Sequence, residues 1–102
     1  MGSQLQLGAI GARFLNVAAQ ATTVVKASAG ILHRIVVNKA VANGTLTIYD
    51  NASAASGTKL ATVTCPGTLL QNHFVLEFGC AVANGIVIVG GAADVDYTAV
   101  YS

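Results

Sequence analysis

Short β-branched runs, each closed by Gly, Asn, Asp or Ser, recur about every ten residues in this chain, while the apolar spacing of an amphipathic helix is almost absent. A chain punctuated in this way is expected to fold as antiparallel sheet. The runs place strands at residues 22–27, 31–38, 45–50, 59–65, 73–78, 85–89 and 94–101, and residues 5–17 can add another. Seven or eight short strands in 102 residues predict an all-β, single-domain antiparallel β-sandwich or jelly roll. Residues 1–20 are rich in Ala, Gly and Gln and carry Arg13 and Phe14; they are expected to form an N-terminal arm or a first edge strand, ahead of a sandwich domain at 21–102.

Alternation assigns the faces. In HFVLEF, Phe74, Leu76 and Phe78 share one side, expected to be core, and Val75 and Glu77 the other. In TLTIYD, Leu46 and Ile48 oppose Thr45, Thr47 and Tyr49. In ILHRIVVN the odd-numbered set, Ile31, His33, Ile35 and Val37, is the more apolar and is expected inside. Ile86 to Val89 is apolar on both faces, which suits a strand covered by core on one side and by a loop or another subunit on the other. In DVDYTAVY, Val95, Tyr97, Ala99 and Tyr101 oppose Asp96, Thr98 and Val100.

Hydrophobic residues make up 54% of the chain and charged ones 9%, against about 25% charged in an ordinary soluble domain. A domain this small has too much surface to hide so many apolar side chains. Exposed apolar surface marks contact with another chain, so a subunit of an assembly is expected. The net charge of +1, with no basic cluster, argues against binding nucleic acid or an anionic membrane surface. The uncharged stretch from Phe78 to Ala93 is short and broken by Asn84 and glycines, unlike a membrane-spanning helix. The opening MGSQLQLGAIGARF lacks a basic segment followed by an apolar one, so folding in a cytoplasm is expected. In that compartment Cys65 and Cys80 are expected as thiols.

No constellation of catalytic type is framed by the sequence. His33 and His73 fall on separate strands without a motif, and Cys65, His73, Cys80 and His33 lack metal-ligand spacing. Asp94 and Asp96 alternate onto one face, where Asp50 could join them around a cation, but solvated carboxylates on a strand edge, discouraging mispairing, are the preferred explanation. The stretches GIGAR and VGGAAD lack the Lys and Ser/Thr of a phosphate loop. A non-enzymatic protein without cofactor or metal is expected. Its candidate interface or ligand contacts are Arg13, Phe14, Tyr49 and Tyr97. The pentapeptide AVANG, present at residues 40–44 and 81–85, is read as turn chemistry used twice, with Asn-Gly supplying positive φ.

From Val24 onward, the order VVKASAG, ILHRIVVNK, TLTIYDNASAASGTKLATV and NGIVIVGGAADVDYTAVYS resembles small all-β structural proteins of tailed bacteriophages. The resemblance is carried most by residues 45–61 and 84–101. It implies a capsid decoration or cement protein on the outer face of the phage head, often a homotrimer, with the major capsid protein as partner. Localisation on the virion surface after assembly in the host cytoplasm goes with it. A tail, baseplate or head-fibre component is the nearest alternative, and a module binding a host-surface glycan through Tyr49 and Tyr97 is a more distant one.

Overall fold

The computed structural model describes residues 12–69 and 71–102, and among these it contains eight strands and no helix. The strands are β1 (Arg13–Val17), β2 (Thr22–Lys26), β3 (Gly30–Lys39), β4 (Thr45–Asp50), β5 (Thr58–Thr64), β6 (Phe74–Val82), β7 (Ile86–Gly91) and β8 (Asp96–Tyr101). One sheet has the order β1-β8-β3-β6 and the other β2-β7-β4-β5, with every pairing antiparallel. First pairs with last, second with seventh, third with sixth and fourth with fifth. An antiparallel ribbon wound over itself in this way is a jelly roll, one of the two architectures that the strand spacing allows.

The core lies between the sheets and is built by the inward members of each alternation. Leu32, Ile35 and Val37 of β3, Leu46 and Ile48 of β4, Ile86 and Ile88 of β7, and Tyr97 and Ala99 of β8 are buried together. Phe74, Leu76 and Phe78 pack against them from β6, as expected for that strand.

Two expectations about strand faces and ends are corrected, in β3 and β6, and the expected cover on both faces of β7 is met within the chain. In β3 the inward set begins with Leu32, fully buried, while Ile31 is 40% exposed. The cause is an irregularity in register between Leu32 and Arg34: His33 is an extra residue against β8, so the side-chain phase slips by one and then continues through Ile35 and Val37. Period-two reading cannot see such a bulge. Strand β6 runs on to Val82 because Gly79, with φ 58°, supplies the positive φ of a second bulge, in which Phe78 and Gly79 together face His33. In β7, Val87 is fully buried although it lies on the outer face. No other subunit is needed for this, since Val24 of β2 and Tyr49 of β4 flank it in register within the same chain.

Residues 13–17 are the edge strand β1 of the first sheet, so the sandwich begins before residue 21. Of the expected arm at residues 1–20, residues 1–11 lie outside the described residues.

Asn43-Gly44 and Asn84-Gly85 both lie in reversals between strands, as expected, but the two work differently. Asn43 has φ 66°, and the Gly44 N–H donates to the Val41 carbonyl at 2.9 Å. In the second copy Asn84 is not in the left-handed region. That turn is held instead by Asp50, whose carboxylate accepts the backbone N–H groups of Ala83 (3.0 Å), Asn84 (2.8 Å) and Gly85 (3.3 Å). These donors, Ala83 foremost, lower the Asp50 pKa below the ordinary 3.8.

Candidate interaction surface

Inward-facing Leu15 and Val17 turn Phe14 and Asn16 of β1 outward, onto the solvent face of the first sheet. Two rows cross that face. In one, Phe14, Val100, Arg34 and Glu77 lie side by side on β1, β8, β3 and β6; in the other, Asn16, Thr98, Val36 and Val75 do so. Phe14 is 77% exposed and Val75 52%, an unusual amount of apolar surface for a sheet face that also carries charges. The Arg34 Nε donates to Glu77 Oε2 at 3.0 Å. Both groups are well exposed, so the pair orients side chains more than it stabilises the fold.

A polar cluster that includes Asn16 and Thr98 of the second row ties β1 and β3 to β8. Asn16 Nδ2 donates to Asp96 Oδ1 (2.7 Å), the Tyr97 carbonyl (3.0 Å) and Thr98 Oγ1 (3.2 Å). From the other side, Asn38 Nδ2 donates to the same Asp96 oxygen (3.2 Å) and to Thr98 Oγ1 (3.0 Å). These bonds, Asn16's first and then Asn38's, with Lys39 adding a smaller attraction, hold the Asp96 pKa below its usual value. Sequence reading missed this cluster, because its members come from three strands far apart in the chain. Leu15 and Val17, alternating in RFLNV, were the signal that could have placed Phe14 and Asn16 outside.

The four candidate contacts have different fates. Arg13 and Phe14 are exposed on the edge strand β1. Tyr49 is half-buried on the outer face of the second sheet, where the Lys59 ammonium sits 5.9 Å from its ring centroid. Tyr97 is fully buried and offers no surface to a ligand or partner, which corrects its selection as a contact. The reason is its place in the inward set of β8, between Val17 of β1 and Val37 of β3. Burial raises the Tyr97 pKa above 10.0, and Thr23, the polar group nearest in effect, offsets this only in part. The hydroxyl makes no hydrogen bond of good geometry. Tyr97→Phe is therefore expected to raise the melting temperature, corresponding to about 1 kcal/mol, as measured by thermal denaturation. A loss of stability would show that the hydroxyl has a partner.

The three aspartates considered for a cation are taken up separately. Asp50 and Asp96 are engaged as described, and Asp94 Oδ1 accepts the Gln20 N–H at 2.9 Å. Among the described residues no group of three or more potential metal ligands converges. His33 Nε2 lies 3.0 Å from Ser102 Oγ. This contact joins β3 to the residue after β8, alongside backbone bonds between Ile31 and Ser102, and brings no carboxylate with it. Cys65 and Cys80 are free thiols, the first buried and the second half-buried. Comparison with family models, with curated proteins and with solved structures gives no match to this chain.

Proposed function

We propose that this chain is a non-enzymatic virion structural protein, a decoration or cement protein that binds the outer face of a tailed-phage head as a small homo-oligomer and stabilises it. The observation that carries the reading is the outer face of the first sheet, where Phe14 and Val75 stand exposed on its two edge strands with Val36 and Val100 between them. Such a face gives flat apolar contact area, and the polar cluster around Asp96 fixes the strand that presents Phe14. The resemblance at residues 45–61 and 84–101 supports the same assignment. Several weak contacts from one oligomer would hold neighbouring capsid subunits through effective concentration. The glycan reading loses support from Tyr49, whose ring is already attended by Lys59.

The test is add-back of purified protein to heads assembled without it. Bound density on the head exterior by electron cryomicroscopy, together with a higher temperature of head disruption, is expected. Density confined to tails, or no binding to heads, overturns the proposal. Phe14→Ser is expected to weaken head binding while leaving the melting curve of the free protein nearly unchanged, because Phe14 is outside the core.

A further inference from the structure

Four strands end the two sheets among the described residues, β1 and β6 in one and β2 and β5 in the other. Natural edges are guarded by shortness, lysine, proline or bulges. Strands β1 and β2 have five residues each, β2 closes on Lys26 after a bulge, and β5 carries Lys59 beside another. Strand β6 has nine residues and contains no Lys, Arg or Pro. Its first half, Phe74 to Glu77, keeps unbroken register with β3 before the bulge at Phe78 and Gly79. As the last strand of its sheet it pairs with no strand on its far side among the described residues.

We propose that this edge pairs antiparallel with β6 of a second copy of the chain about a two-fold axis at Val75. In that register Val75 faces its own counterpart, Phe74 faces Leu76, and His73 faces Glu77, so the pairing is self-complementary as a two-fold contact must be. Shifting the axis to Glu77 would set two carboxylates against each other, which charge disfavours. Two independent features fit the occupant. Val75, 52% exposed, is covered by its own copy. An open apolar cavity of about 380 Å³, lined by Pro66, Thr68, Leu69, Gln71 and Phe74, lies at the start of β6, next to the edge that pairs. The result is one continuous eight-stranded sheet across two molecules, whose outer face doubles the row that carries Phe14.

Sedimentation of the full chain is expected to give twice the 10.3 kDa of one chain, and Val75→Lys is expected to give a monomer with an unchanged far-ultraviolet circular dichroism spectrum. Val75→Cys places two thiols opposite each other within disulfide reach and is expected to cross-link under mild oxidation. Glu77→Cys, off the axis, is not. A monomeric or trimeric wild-type chain, a dimeric Val75→Lys variant, or cross-linking from Glu77→Cys but not from Val75→Cys overturns the pairing. The pairing does not rest on the head-decoration reading: heads that take up a monomer or a trimer would remove the two-fold and leave decoration standing.

Discussion

Gly85→Ala is expected to destabilise the chain by about 3 kcal/mol, the upper end of what overpacking a well-filled interior costs. In a domain of this size that corresponds to a fall of roughly 12–24 °C in melting temperature. The reason is space. A Cβ at residue 85 would collide with the carbonyl oxygen of Lys26, lie 2.6 Å from that of Asn51 and touch the Ala52 Cα at 3.0 Å. All three obstacles are backbone, from the end of β2 and the loop after β4, so no side-chain rotation relieves them. Retreat of residue 85 would also draw the turn away from the Asp50 carboxylate, which accepts its N–H and those of its two predecessors. Gly79 is the control. Its φ is 58° and nothing lies within 4 Å of the position a Cβ would take, so Gly79→Ala meets only the left-handed backbone penalty of about 1 kcal/mol. Asn tolerates that backbone conformation, so Gly79→Asn is expected to be milder still, whereas Gly85→Asn should be at least as damaging as Gly85→Ala. Equal effects at the two sites in thermal denaturation would refute the steric account.

That contrast bears on what could be read from the letters alone. Turns at both AVANG copies were legible, because Asn-Gly between β-branched runs is a local signal and reversal is a local event. The clamp on the second copy was not, since Asp50 sits some thirty residues upstream, and only the pairing of β4 with β7 brings its carboxylate to Ala83, Asn84 and Gly85. The same division runs through the sheets. Strand existence and the inward faces of β4 and β6 followed from period-two alternation, the two faces of β8 were separated without saying which was inward, and strand number limited the fold to a sandwich or jelly roll. The bulge at His33 left no trace in composition, so Leu32 and Ile31 were exchanged. For the candidate surface, Phe14 was named because it was aromatic and outside a clear pattern. What gives it neighbours is the closure of β1 against β8, which sets it beside Val100 and, one strand further, Arg34. Tyr97 was named for its aromatic ring even though it shares its side of the strand with Val95 and Ala99; the pattern was the better guide.

Val87 and Ile88 are adjacent, similar in chemistry and both fully buried, yet truncating them should have unequal consequences. Ile88 belongs to the core between the sheets, paired in register with Ile48 of β4 and Thr23 of β2. Ile88→Ala removes three carbons from a region closed by both layers, where surrounding groups cannot follow, and is expected to cost about 4 kcal/mol. Val87 faces the other way. It is flanked in register by Val24, itself 42% exposed, and by Tyr49 with Lys59 above the ring. Those side chains end in solvent and can settle into the space left by two carbons, so Val87→Ala should cost roughly 1 kcal/mol, nearer the plain transfer term for the lost carbons. Chemical denaturation of the two variants reads the difference directly as a shift in midpoint at constant slope. If Val87→Ala were as damaging as Ile88→Ala, Val87 would have to sit in packing as rigid as the core between the sheets, with neighbours that cannot settle into the space.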